Sequence, residues 1–528
     1  MIITASRIKP RPTAARPKTI ETKFFPSPRR GLMLAENVAN QSPEGALVLE
    51  NWICTPTGVR VRGGTAKRYT LDDPVISMWE YIHTSGARKF AATETDIFDL
   101  TAVADPDTVP TSVLTGQTSG YYVGAHMGTV AGQYMIVVNG TDDAILLDGA
   151  TLMALNSGST PAFTGVDTDK LSHAWTYANR FFFVEKGTMN SWYLPVDSIS
   201  GAALKFSLAG VFQLGGELLF GARWSLDSGA GLNAKCVFVS SKGEVAVYEG
   251  TDPASPTNWA LAGLYRIADP VGLQGHVQAG GDLLIATEGG ITPMSQVISK
   301  DLAALSASGV TANIEPLWRD EMSIRKSEKL ELVKWSAKGL LILSLPNKGA
   351  FVANVLTGAW STFNGLDVQC MTTWGTKAYF GSAAGKIYEM EVGGSDDGAL
   401  YTAKCAAVFD HLGAPGYTKR VTMGRMMFRT LSPVQAKLTC AKDYNTDFPA
   451  APASPTDYTT ISEWDVSEWD EGIWDATTSL QYRSGWVGVK TLGATVSWQV
   501  QLTYGVTPLP RAELVSVELA YQPADAIN

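Results

Sequence analysis

From about residue 75 to residue 391 the chain repeats one pattern of apolar and polar positions. A run of four to six apolar residues is followed by a tight turn and a second apolar run. Seven copies occupy residues 88–100, 132–149, 178–194, 233–250, 280–296, 336–354 and 375–391. Anchored on Phe90, Met135, Phe182, Val237, Leu284, Leu341 and Tyr379, they are spaced by 45, 47, 55, 47, 57 and 38 residues. Asn139-Gly140, Lys242-Gly243, Gly289-Gly290 and Ala384-Gly385 supply the positive φ that tight hairpins demand. One small antiparallel sheet cannot bury both faces alone. Packing such sheets around an axis buries them and protects their edges, so a drifting period near 48 with about four strands each predicts a β-propeller of six or seven blades. A pair of stacked sandwiches is the rival reading. One stretch departs from the repeat: residues 299–305 read as a short helical insertion, with 314–318 returning to the sheet.

Outside the repeat, alternation of apolar and polar residues at 420–431, 433–441, 495–504 and 512–521 predicts a C-terminal antiparallel β-sandwich-like domain over 394–528, entered through the Gly-rich 393–398 linker. Residues 32–74 are strand-rich and either close the propeller or join this second domain. Residues 1–31 hold five prolines and read as an extended basic arm. The expected organisation is therefore all-β: arm, closing segment, propeller over 75–393 and C-terminal β-domain.

Composition agrees with short aromatic strands and many turns, with 51 glycines, 15 Trp, 18 Tyr and 18 Phe in 528 residues. Charged residues make up 18%, below the usual quarter, which suggests that partner subunits cover some of the surface. The net charge of −9 argues against a dedicated nucleic-acid binder. It divides unevenly, with +7 in residues 1–30 and −16 in the remainder. The basic arm, with Arg7, Lys9, Arg11, Arg16 and Lys18, reads as a strap onto an acidic neighbour, beside the readings of a loose tail or a contact to DNA. Five scattered cysteines form no CxxC, and read as isolated buried thiols. No apolar run approaches the ~20 residues of a membrane-spanning helix, and the N-terminus lacks the apolar stretch of a secretory signal.

Catalytic signatures are sparse. The five histidines (His83, His126, His173, His276, His411) are far apart in sequence, and HExxH, GxSxG and a Walker A loop are absent. Residues 229–234 match GxGxxA, but they lie between two expected strands, where no helix N-terminus can meet a phosphate. Ser323 and Lys326 fit SxxK by chance frequency alone. The turns lack the S-x-D-x-G-x-T-W form of sialidase propellers. No catalytic residue, cofactor site or metal site is expected. Paired carboxylates leave an enzyme on a propeller as one alternative, and a receptor- or glycan-binding propeller on a virion or cell surface as another. Between 463 and 475 three Trp-Asp pairs, at Trp464, Trp469 and Trp474, recur every five residues. That period suits neither helix nor strand, so each pair reads as a turn. The indoles would dock on another subunit, pack on their own domain, or stack on carbohydrate.

Three passages resemble the tail nozzle, or head-to-tail hub, proteins of short-tailed bacteriophages (tail tubular protein B-like). They are residues 31–64, with EGALVLENWICTPTGVRVRGG; residues 283–318; and the combination of Asp443-Tyr444-Asn445, the Trp-Asp triplet and Trp486-Val-Gly-Val. Together they cover about a third of the chain; the basic extension has no counterpart in the family pattern. The resemblance implies a structural virion protein, made in the bacterial cytoplasm and forming a ring, a homo-hexamer, below the portal and its adaptor. The ring would carry tail needle, spike or fibre proteins, retain the packaged genome, and conduct double-stranded DNA during ejection, with no turnover. An acidic wall would let the polyanion slide where a basic one would grip it. Retention is then steric, by converging Gly-rich loops. The candidate gates are 393–398 and 227–233, the latter with Asp227, Gly229 and Gly231.

Overall fold

A computed structural model describes the chain except residues 1–18, 38–40, 226–233, 326–327, 414, 431–433, 454–479, 506–511 and 527–528. The protein is all-β. Seven small antiparallel sheets follow one another and are numbered in chain order. Sheet 1 is Ser77–His83, Gly86–Ala92, Asp96–Asp99 and Ser112–Thr115. Sheet 2 is Val123–Gly128, Gln133–Val138, Ala144–Asp148 and Thr151–Leu155, and sheet 3 is Leu171–Tyr177, Arg180–Glu185, Asn190–Tyr193 and Leu204–Ser207. Sheet 4 is Leu218–Trp224, Lys235–Ser240, Glu244–Gly250 and Trp259–Arg266. Sheet 5 has three strands, His276–Ala279, Asp282–Thr287 and Gly290–Pro293. Sheet 6 is Leu332–Trp335, Leu340–Leu345, Gly349–Asn354 and Ala359–Asn364. Sheet 7 takes Cys370–Trp374, Lys377–Gly381 and Lys386–Met390 from late in the chain and Thr65–Thr70 from its beginning. Each hairpin repeat of the sequence falls on the second and third strands of one sheet.

The central strands bury both faces, as in Phe181–Val184 and Leu340–Leu345, where every side chain is buried. A separate apolar core joins each sheet to the next. Trp79, Phe90 and Ile97 of sheet 1 meet Met135, Val137 and Leu147 of sheet 2. Trp175 and Phe182 of sheet 3 meet Cys236 and Phe238 of sheet 4. Sheet 7 in turn packs on sheet 1: Tyr69, Trp374 and Tyr379 meet Ala91 and Phe98, and the Trp374 indole donates to the Trp79 carbonyl at 3.2 Å. Gly140 (φ 74°) and Gly243 (φ 72°) turn two of the hairpins in the left-handed region.

Close packing makes Gly221 of sheet 4 specific. A Cβ there would stand 2.2 Å from the Trp175 ring of sheet 3. Gly221→Ala is expected to lower unfolding free energy by about 1–3 kcal/mol, measured by denaturant titration.

After sheet 5 the expected insertion is larger than the sequence suggested. It comprises helices Met294–Val297, Leu302–Ser308 and Glu315–Ile324. The reading of 314–318 as a return to the sheet is therefore corrected. Pro316 stands in the first turn, where a missing N–H costs nothing, and Trp318 and Met322 bury one face at i,i+4 spacing. The Trp318 indole donates to the Thr287 carbonyl at 3.0 Å, docking the helix on sheet 5.

Besides a short parallel pair, Phe163–Thr164 with Gly201–Ala202, the rest of the described chain forms two further sheets around the largest core. One carries Trp52–Cys54, Val59–Val61, Glu513–Ala526, Tyr417–Thr430 and Leu480–Arg483, with Glu21–Pro26 added beside 513–526 and Val487–Gly493 beside 417–430. The other runs Ala46–Glu50, Tyr401–Ala407, Val496–Tyr504 and Lys437–Lys442, and continues into sheet 6 through a parallel bridge, Glu50 to Thr362. Segment 46–70 thus contributes to both regions. Part of the basic N-terminal stretch is also built into the fold: Glu21–Pro26 pairs in register with 516–521, Lys23 bonds Asp410 at 2.7 Å, and Arg29 bonds Glu44 at 2.7 Å.

Candidate functional site

Sheets 2 to 6 each present their first strand, an edge strand, to one shared cavity of about 540 Å³. The first strands are also tied laterally. His126 Nε2 of sheet 2 donates to the Glu80 carbonyl of sheet 1 at 2.8 Å, and the Met371 amide of sheet 7 donates to the Glu331 carboxyl, just before sheet 6, at 2.6 Å. The cavity is lined by His126, His173, Arg223, Gln274, His276 and Glu331 among apolar and backbone groups.

Side chains narrow the space between the sheets. The rings of His173 (sheet 3) and His276 (sheet 5) lie 5.4 Å apart, and Phe220 of sheet 4 stacks on His276 at 4.1 Å. Gln274 reaches over to the Tyr122 carbonyl beside sheet 2 at 3.3 Å, and Lys329 lies 4.6 Å from the Tyr121 ring. No duplex could pass between these groups.

The electrostatics follow from burial. His173 is 2% exposed, and its Nδ1 has no hydrogen-bond partner. Burial and the neighbouring His276 hold it well below the usual imidazole range, and burial pushes His276 down to about 4. Both are neutral at pH 7. Burial pushes the Glu331 carboxyl up to about 8, against the opposing pull of the Met371 amide. His126 bonds a backbone carbonyl, and the Nδ1 atoms of His173 and His276 have no hydrogen-bond partner. No group of three or more His, Cys, Asp or Glu among the described residues could hold a metal ion.

These shifts set opposite pH slopes. The folded chain keeps the Glu331 proton that the unfolded chain loses between pH 4.5 and about 8, so this group lowers stability as pH rises through that window. The histidines lower stability on acidification from 6.5 toward 4, where the unfolded chain takes up protons that the folded chain refuses. Glu331→Gln is expected to raise stability above pH 8 by on the order of 1–4 kcal/mol and to flatten the alkaline fall, checked by melting from pH 5 to 9.

Arg7, Lys9, Arg11, Arg16, Lys18, Asp227, Gly229, Gly231, Trp464, Trp469 and Trp474 all lie outside the described residues. The other gate candidate, 393–398, is clamped rather than free. Asp396 takes two bonds from Arg62, and the Gly64 amide donates to the Gly393 carbonyl at 2.9 Å. Sequence reasoning missed the three cavity histidines, although the repeat held the signal. His126, His173 and His276 precede their anchors Met135, Phe182 and Leu284 by 9, 9 and 8 residues. Equivalent positions of successive repeats therefore place them on the converging strands. The cysteines are single, and Cys54, Cys236, Cys370 and Cys405 are buried.

The geometry defines an all-β protein of repeated sheets with a polar cavity where five of them meet. No family model matches the chain, and no curated protein matches it. Among solved structures it is similar to the computationally designed Ika8 protein, with 13% identity over 69% of this chain and 100% of that one, at a TM-score of 0.36. A likeness of that size assigns neither family nor activity. No described helix is long and apolar enough to cross a membrane.

Proposed function

We propose that this chain is a structural subunit of a ring, the nozzle or hub of a short-tailed phage tail, in which several copies enclose a passage for DNA. In this reading the seven sheets are the blades of a propeller, held shut because Thr65–Thr70 completes the last sheet, and 394–528 with the N-terminal strands forms a sandwich. The run of inter-sheet cores, including that between sheets 7 and 1, supports the propeller. The resemblance of 31–64 and 283–318 supplies the type of assembly.

One observation carries the assembly. The sheet containing 417–430 and 513–526 leaves a band exposed across four strands. Phe24 lies opposite Glu518, Glu518 opposite Arg425, and the Arg425 guanidinium is 4.6 Å from the Trp486 ring. Phe24 is 58% exposed, and Met423 and Leu492, on adjacent strands, are each 47% exposed. An apolar band of this kind with a charged centre suits a subunit contact. The small size of the cavity adds a constraint: DNA passes between copies, never through one propeller. Turnover has no place in the proposal.

The test is a Phe24→Asp/Met423→Asp double variant. Both side chains are exposed, so the chain is expected to fold as before. The assembly of about 340 kDa, six chains of 56.5 kDa, should fall to single chains in sedimentation velocity. An unchanged mass refutes the contact.

A further inference from the structure

The cavity between sheets 2 and 6 has a property that a conduit does not need. Arg223 lines it, and among the described residues no carboxylate lies within ion-pair distance of its guanidinium. Other arginines lodged in this fold have one: Arg62 pairs with Asp396, Arg88 with Asp99, Arg180 with Asp252 and Arg325 with Glu321. His173, in the same lining, is 98% buried, with Nδ1 unpartnered. A buried polar atom without a partner is destabilising, and a bound group that pairs with it relieves that cost. The volume, about 540 Å³, is within the range of small-molecule sites.

We infer that this cavity binds a small oxyanion, a carboxylate or phosphate ester of about monosaccharide size, with Arg223 pairing its charge and His173, His276 and Gln274 contacting its polar groups. The chemistry is complementary. Arg presents a planar fork to two oxygens, and neutral imidazoles and an amide donate without competing for the charge. Glu331, the one carboxyl in the lining among the described residues, is occupied by the Met371 amide and is held largely protonated at pH 7, so it does not oppose an anion. The cavity remains polar, as an apolar plug of the axis would not. This inference does not depend on the ring assembly.

The test is calorimetric titration of the full chain at pH 7 with inorganic phosphate and with glucuronate, with glucose as the neutral control. At least one anion should bind with a Kd of about 10 mM or tighter. Which anion binds distinguishes a phosphate from a carboxylate ligand. Arg223→Met should weaken that binding at least tenfold and leave the melting temperature unchanged, since Arg223 holds no ion pair. Should the variant misfold, imidazole NMR of the wild-type chain takes its place: the His173 and His276 signals should move with the anion and not with glucose. Silence from both anions, equal binding of glucose, unchanged affinity in a folded Arg223→Met chain, or static imidazole signals would overturn the site.

Discussion

Replacing Arg62 with methionine is expected to lower unfolding free energy by about 3–5 kcal/mol, the largest effect of any single charge in the described structure. Arg62 is 1% exposed. Its guanidinium holds both oxygens of Asp396 at 2.8 and 2.6 Å, its Nε donates to Asn51 at 2.8 Å, and the Tyr401 ring lies 4.1 Å away. Asn51 in turn accepts from the Asn364 amide at the end of sheet 6 and donates to the Thr402 carbonyl. One side chain therefore joins sheet 6, the strand after sheet 7 and the C-terminal sheets. Methionine keeps much of the length, but it strips Asp396 of both guanidinium bonds and takes one of two donors from the Asn51 oxygen. The Arg62→Met/Asp396→Asn double variant should recover part of the loss, because the stranded charge goes with it. Urea titrations of the four chains measure both terms; a single variant as stable as wild type would contradict the role.

Trp360→Ala is expected to cost about 3–5 kcal/mol. The indole is fully buried in the core shared by sheets 5 and 6 and the C-terminal sheets, and its Nε1 donates to the Val310 carbonyl at 2.9 Å. The backbone is equally engaged: the Leu32 amide donates to the Trp360 carbonyl at 2.9 Å. Gly31, at φ 74°, lies so close that a Cβ would stand 2.5 Å from that same oxygen. Trp360→Phe keeps most of the apolar volume and loses the donor, so it should cost about 1–3 kcal/mol. Denaturant midpoints order the three chains; equal losses for Phe and Ala would show that the hydrogen bond, not the volume, dominates.

Much of the β-architecture was legible because its signal is local. A hairpin needs only alternating or continuous apolar runs and a residue that tolerates positive φ, and Asn139-Gly140 and Lys242-Gly243 provide it within a few residues. The insertion after sheet 5 was less legible. A short segment such as Glu315–Ile324 is apolar at Leu317, Trp318 and Met322, which a strand reading and a helix reading share over five residues. Long-range pairings left no local trace. Nothing in ETKFFP says that Phe25 will sit opposite Val517, or that Thr65–Thr70 will pair with Lys386–Met390. The cavity was hidden for the same reason. Its histidines are 47 and 103 residues apart, and only the repeat frame brings them into one position. Asp396 illustrates the converse: a Gly-rich stretch that reads as a loose linker is fixed by an arginine more than 300 residues away.

In a ring of this kind the passage belongs to several chains together, because the space between the sheets of one chain is narrowed by His173, His276 and Phe220 to a cavity of about 540 Å³. Electron microscopy of the purified wild-type protein tests this most directly. The expected class averages show a closed ring, six-fold, with its opening between subunits and each chain's seven sheets set away from the ring axis. Isolated single chains at micromolar concentration, or a passage running through the middle of one chain's sheets, would contradict it.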